Sequence, residues 1–186
     1  LSPARSPGGG PVAPGAPDPR GDGFGFRVGH GYDVHRLVAG RPLVLGGITL
    51  PWDVGLAGHS DGDAVCHALT DAVLGAAGAG DIGSLFPSED EGLRGADSLV
   101  LLRKAVAVVR ERGQAVVNAD VTVVLEVPRL APYRERMAAA LAAALGVPPD
   151  RVGIKAKTNE GLGEIGRGEA IAAFAVVLLA PAGAGR

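Results

Sequence analysis

The chain has 186 residues, with 18 basic and 20 acidic side chains, a formal net charge of −2, 30 Gly, 14 Pro and a single Cys. This balance provides no basic footprint for nucleic acid or an anionic membrane, and one thiol excludes an internal disulfide. The longest apolar run, Ala170 to Ala180, is eleven residues, against roughly 20 for a bilayer span, and residues 1–26 lack the apolar core of a secretory signal. The expectation is a soluble cytoplasmic protein with neither nucleic acid nor membrane as partner.

Residues 1–25 hold seven Gly and six Pro, which reads as a flexible tail or linker over residues 1–26. One domain is expected over residues 27–181, with a short C-terminal tail over 182–186. Arg27 to His35 reads as a first strand. Pro42 to Leu50 reads as a second extended region broken by Gly46-Gly47. Ser60 is predicted to open a helix, capped by Ser60 or Asp61, with Asp63 in its first turn and Val65, Leu69, Ala72, Val73 and Ala76 at helical spacing. A second helix is predicted over Asp97 to Arg112, ended by Gly113. Val117 to Leu125 alternates as a half-buried strand, and Pro132 to Leu145 reads as a third helix closed by Gly146. Val152 to Ala156 and Ala170 to Leu179 are the last strands. This order predicts an α+β fold, a mixed β-sheet with helices packed on one face. Ala-rich helices bury little area each, so an oligomer is compatible with them.

All four His residues fall between positions 30 and 67. Asp33 and His35 share one side of an extended segment, because strand side chains alternate with period two. His67 follows on a helix, with Asp63 and Asp71 one turn before and after it. One Asp and two His make a three-ligand set with an open fourth position, the pattern of catalytic zinc, and Asp63 and Asp71 are candidates to orient His67. Solvated helix charges and a structural His read equally from spacing alone. His59-Ser60 before the helix can present a phosphate to the helix N-terminus or can serve as ordinary capping. Lys155 to Gly161 carries a hydroxyl at Thr158, a cation at Lys157 and a hard oxygen ligand for Mg²⁺ at Glu160, or is a polar turn. Gly29, Gly31, Gly62 and Gly83 lie within these motifs, where a missing side chain lets backbone turn sharply or approach phosphate.

Taken together, Gly29-His30-Gly31-Tyr32-Asp33-Val34-His35, His59-Ser60-Asp61-Gly62-Asp63, His67-Ala68-Leu69-Thr70-Asp71, Asp81-Ile82-Gly83-Ser84-Leu85-Phe86-Pro87 and Gly166-Arg167-Gly168-Glu169 resemble the 2-C-methyl-D-erythritol 2,4-cyclodiphosphate synthase family. The resemblance runs from Arg27 to Ala180. It implies conversion of 4-diphosphocytidyl-2-C-methyl-D-erythritol 2-phosphate to the cyclic diphosphate and CMP, in the non-mevalonate isoprenoid pathway, by attack of the substrate's own 2-phosphate on the β-phosphorus. It further implies Asp33, His35 and His67 as zinc ligands and Glu160 as ligand of a Mg²⁺ or Mn²⁺ ion on the diphosphate. Thr158 and Lys157 are implied as phosphate contacts, with His59 and Thr158 in catalytic positions. Ser60, Asp81, Gly83, Phe86 and Asp90 would line the erythritol site, and Leu125, Pro128, Arg129 and Ala131 the cytidine loop. Arg167 would also contact substrate. The family is homotrimeric with sites between protomers, is placed in the bacterial cytoplasm, and in some members is fused behind a cytidylyltransferase domain.

Two departures stand out. Lys157 replaces a position often held by Thr. Glu164 stands where many members carry a large apolar residue beside Arg167 and Glu169, which disfavours an isoprenoid tail on the three-fold axis. Two other functions fit the same residues: a zinc-dependent phosphohydrolase, in which water is the nucleophile, and a trimeric binding module stabilised by metal.

Overall fold

Alternation in the strands and periodicity in the helices come together in a five-stranded mixed sheet, seen in a computed structural model that describes residues 25–183. The predicted N-terminal tail, except Gly25 and Phe26, and residues 184–186 lie outside the described residues. The strands are β1 (Arg27–Ala39), β2 (Leu43–Leu45), β3 (Ile48–Leu50), β4 (Val54–Leu56), β5 (Gln114–Val124), β6 (Val152–Lys157) and β7 (Ala170–Pro181). The helices are α1 (Ala64–Ala76), α2 (Ile82–Leu85), α3 (Ser98–Glu111), α4 (Arg134–Leu145) and α5 (Gly163–Gly166). The sheet order is β4-β1-β7-β5-β6, and β2 and β3 form a separate hairpin. Only β5 and β6 run parallel among these pairs; the others are antiparallel.

Period-two alternation gives the sheet two unlike faces. Ile171, Ala173, Ala175, Val177 and Leu179 of β7 are buried with Val121 and Val123 of β5 under α1 and α3, while Phe174 and Val176 point away and are 40% and 42% exposed. On β1, Gly29 and Gly31 face α1, whereas Val28, Tyr32 and Val34 lie on the open face. A Cβ at Gly29 would sit 1.9 Å from the Ala72 carbonyl oxygen, and one at Gly31 1.9 Å from that of Ala68. The two glycines therefore seat α1 directly on β1. Any side chain there would push the helix off the strand, so their role is close packing of backbone on backbone rather than an approach to phosphate.

The start of α1 differs from the sequence expectation. Asp63, fully buried, is the N-cap and accepts from the amides of Val65 and Cys66, and Ser60 lies three residues earlier. Three residues able to cap stand within four positions here. Asp63 wins because the Gly46 and Gly47 amides of the β2–β3 turn also donate to its carboxylate, at 2.9 and 2.6 Å. The other long helices start and stop near their predicted ends: Asp97 caps α3, and Gly146, at φ 75°, closes α4. Strand β4 and the one-turn helices α2 and α5 were not predicted, since three or four residues show no period.

Candidate metal centre and adjoining clefts

β1 delivers Asp33 and His35 to the same face as Gly29 and Gly31, and α1, held close by those glycines, delivers His67. Asp33 Oδ2 lies 2.8 Å from His35 Nε2 and 3.0 Å from His67 Nδ1, and the two ring nitrogens are 3.0 Å apart. All three donor atoms lie within 4.8 Å of one another. Ligand bonds of about 2.0–2.1 Å at tetrahedral angles place donors about 3.3 Å apart, so this triangle needs only slight opening to hold a zinc-sized ion. Burial by itself would raise the Asp33 carboxyl, but hydrogen bonds from His35 and His67 outweigh it and hold the group well below the usual carboxylate range. Burial would lower His67, yet the hydrogen bond to Asp33 and the charges of Asp33, Asp63 and Asp61 raise it above 6.5.

These donors open into a cleft of about 520 Å³ also lined by His59, Ser60, Gly83, Phe86 and Glu89. His59 Nε2 lies 3.3 Å from the Asp90 carbonyl oxygen, and the Asp90 carboxylate accepts from the Gly92 amide. Asp81 caps α2 by accepting from the Ser84 amide and hydroxyl, and these bonds lower its carboxyl. Of the two readings of the α1 N-terminus, capping is the one seen: Asp63 takes the amides of Val65 and Cys66, so a phosphate beside His59 and Ser60 would not meet those two amides. Asp63 and Asp71 also do not orient His67 as predicted. The Asp63 carboxylate is spent on the Gly46-Gly47 turn and the helix cap and acts on the His67 ring only through its charge. Asp71 accepts from the Ile82 amide, tying α1 to α2.

The far nitrogen of His67 is held by Ser60, read in the sequence as a cap or a substrate contact, and by Ser98, which the sequence reading missed. His67 Nε2 lies 3.0 Å from Ser60 Oγ and 3.0 Å from Ser98 Oγ, and Ser98 in turn bonds Asp61. Asp61 stands inside the quoted His-Ser-Asp-Gly-Asp run, but Ser98, at the start of α3, carried no signal of its own.

The remaining predicted residues gather elsewhere. Leu125, Pro128, Arg129, Ala131, Lys157 and Thr158 line a second cleft of about 260 Å³, joined by Glu126 and Arg134. Beside it, Thr158 Oγ1 donates to Glu160 Oε1 at 2.7 Å, and Glu160 has φ 52°, a left-handed conformation rare for a residue with a side chain. The Glu126 carboxylate fastens this loop by accepting from the Asn159 amide at 2.8 Å. Arg167 lines neither cleft. It pairs with Glu169 at 2.8 Å and Glu164 at 3.5 Å, beside a third cleft of about 370 Å³ lined by Tyr32, Val34, Arg36, Glu164, Ile165 and Glu169. Among the described residues, no helix is long and apolar enough to cross a membrane.

An α+β domain that aims an Asp-His-His donor set into an open cleft has the make-up of an enzyme that works with a divalent metal. The comparisons narrow this class: the YgbB family model matches residues 26–180, and the chain belongs to that family. The 2-C-methyl-D-erythritol 2,4-cyclodiphosphate synthase of Laribacter hongkongensis is 64% identical over 154 residues, 83% of this chain and 95% of the relative. That of Bordetella petrii is 60% identical over 157 residues, covering 84% and 97%. A solved 2C-methyl-D-erythritol-2,4-cyclodiphosphate synthase in a CDP-bound form is 46% identical, with TM-score 0.76, over 82% of this chain and 99% of that one. The bifunctional IspDF of Campylobacter jejuni is 42% identical with TM-score 0.82 over 85% of this chain, which spans only 43% of that longer one.

Proposed function

We propose that the chain converts 4-diphosphocytidyl-2-C-methyl-D-erythritol 2-phosphate to 2-C-methyl-D-erythritol 2,4-cyclodiphosphate and CMP, in the non-mevalonate isoprenoid pathway. The observation that carries this reading, beside the family, is the convergence of Asp33, His35 and His67 within 4.8 Å at the mouth of a cleft. An oxygen of the substrate's 2-phosphate forms the new bond to the β-phosphorus, and the bond to the bridging oxygen breaks as CMP leaves with it. Water and redox partners play no part in the balance. No protein nucleophile is required, which suits a site where Cys66 is fully buried and its thiol is pushed up by burial and by Asp63.

Asp33, His35 and His67 would hold zinc, and Glu160 would hold Mg²⁺ or Mn²⁺. Such ions supply charge neutralisation on the transferring phosphoryl oxygens. The chain's own part is positioning, which turns a reaction between two phosphates into an intramolecular one of defined geometry. His59 and Ser60 contact the 2-phosphate end, with Asp81, Gly83, Phe86 and Asp90 around the erythritol. Thr158, Lys157 and Arg129 hold the diphosphate, and Leu125, Pro128 and Ala131 admit cytosine.

The same geometry supports an assembly. Asp33 pairs across β7 with Ala173, Ala173 with Val123 of β5, and Val123 with Ala156 of β6. The metal donors and the Lys157-Thr158 loop thus sit three strand spacings apart, about 14 Å, which is far for neighbouring phosphates of one substrate. A homotrimer with each site completed by an adjacent protomer joins the two clefts. Its contact surface is the open sheet face, where Val28 is 68%, Tyr32 47% and Phe174 40% exposed. Glu164 in the third cleft opposes binding of an apolar tail there. The domain spans residues 27–181 and acts in the bacterial cytoplasm. Residues 1–26 are a tail or a linker, and the likeness to a bifunctional chain supports a cytidylyltransferase domain upstream.

The test is to supply the cytidine diphosphate substrate with zinc and Mg²⁺. Stoichiometric CMP and cyclic diphosphate without inorganic phosphate is the expected result. Release of inorganic phosphate would instead establish the phosphohydrolase reading, and no turnover with metal bound the binding-module reading.

A further inference from the structure

His67 presents one nitrogen to the metal triad and the other to a chain of hydroxyls ending on a carboxylate. Ser98 is fully buried, and its hydroxyl donates to Asp61 Oδ1 at 2.5 Å. A carboxylate has no hydrogen to return, so the hydroxyl hydrogen of Ser98 is committed to Asp61. Toward His67, 3.0 Å away, Ser98 Oγ can only accept. Ser60 Oγ lies 3.2 Å from Ser98 Oγ and takes the Gly62 amide, so it too can donate to Ser98 while accepting from the ring.

We propose that Asp61 and Ser98 are positioning residues that fix His67 with its hydrogen on Nε2, leaving the Nδ1 lone pair aimed at the metal beside Asp33 and His35. This inference rests on the metal reading of the triad. The serines alone would not dictate it, since a hydroxyl can rotate to donate or accept; the Asp61 carboxylate removes that freedom. One consequence concerns chemistry that the same residues resemble. Ser60, His67 and Asp33 stand in the order of a nucleophile, base and acid, with His67 Nδ1 3.0 Å from Asp33. A ring that already carries a hydrogen on Nε2 cannot take one from Ser60, so this trio does not act as a serine hydrolase.

Loop attachment is separable from the relay. The Ser98 amide donates to Asp61 Oδ2, the Asp61 amide to the Ala96 carbonyl and the Gly95 amide to the His59 carbonyl, at 2.8–3.0 Å. None of these uses the Ser98 hydroxyl, so Ser98→Ala removes the relay and leaves the loops fastened.

The experiment titrates zinc into metal-stripped parent, Ser98→Ala, Ser98→Thr and Asp61→Asn proteins against a chromophoric chelator, and records ¹⁵N spectra of His67. Ser98→Ala is expected to bind zinc about 10–100-fold more weakly, with Ser98→Thr restoring affinity, as loss and return of an outer partner of a metal-bound His should do. Turnover of Ser98→Ala should recover at saturating zinc with KM unchanged. In the zinc-loaded parent the ring should carry its hydrogen on Nε2, with the metal on Nδ1. Zinc affinity in folded Ser98→Ala equal to that of the parent would overturn the relay. So would a zinc-loaded parent whose ring keeps its hydrogen on Nδ1, which decides the matter even if the variants do not fold. A parent that binds no divalent ion at the triad overturns the metal reading itself and is recognised before any variant is compared.

Discussion

The two ends of the proposed site are built on opposite plans. The Asp33, His35 and His67 donors stand on a strand and a helix pressed together at two glycines, half-buried, with both nitrogens of His67 already partnered. The Thr158-Glu160 end stands on an exposed loop after β6, held by Glu126 from outside and carrying a backbone angle that a side chain resists. One end is finished before substrate arrives. The other keeps its carboxylate on Thr158 until a ligand offers something better. Rigidity sits where donors must converge on a single atom, and strain sits where a group must exchange partners.

The largest test of this contrast is His67→Ala. Removing one donor from a finished triad should abolish stoichiometric zinc binding and lower turnover about 10³-fold, with the circular dichroism spectrum retained. Full turnover by the zinc-free variant would remove the metal from the mechanism. Gly31→Ala attacks the scaffold under the triad. A methyl group 1.9 Å from the Ala68 carbonyl should cost about 3 kcal/mol in denaturant unfolding and weaken zinc binding, though no donor is altered. Parent-like stability would show that α1 is not seated as described. Glu160→Ala, at the strained end, should raise the Mg²⁺ needed for half-maximal turnover roughly tenfold while leaving zinc binding unchanged. A superimposable Mg²⁺ titration would detach Glu160 from the diphosphate end.

The smallest effect is on pH. The metal-free pairing of His67 with Asp33 raises the His67 pKa above 6.5, so its stabilising contribution is complete below that value and fades as pH rises through the raised one. Zinc must displace that proton, whereas the Asp33 carboxyl, held low, is already ionised. Zinc affinity should therefore climb about tenfold per pH unit from pH 6 and level off above the raised His67 value. A flat profile would place the proton elsewhere.

Much of this was legible in the residues because it is local. Asp33 and His35 declare a shared face by alternation alone, and the helix bearing His67 shows its period through Val65, Leu69 and Val73. What escaped depends on contacts between distant segments. Ser60, Asp61 and Asp63 are equally good caps on paper, and only the amides of Gly46 and Gly47 decide for Asp63. Ser98 is 31 residues from His67 and resembles any first residue of a helix. The glycines of β1 read only as room for a sharp turn or a close approach of backbone, to phosphate among others, since nothing local says that α1 is what lies against them.

Strand β1 has a further consequence for how such a chain can change. Its odd positions spell helix contact and metal donor, Gly29, Gly31, Asp33 and His35, and its even positions spell the open apolar face, Val28, Tyr32 and Val34. These are two messages interleaved in one text, and gaining or losing a single residue upstream of Asp33 within the strand would make each be read in place of the other. Point substitution can edit either message alone, but a change of length corrupts both. Variation in length is thus confined to punctuation such as Gly40, where an added side chain meets nothing within 4 Å.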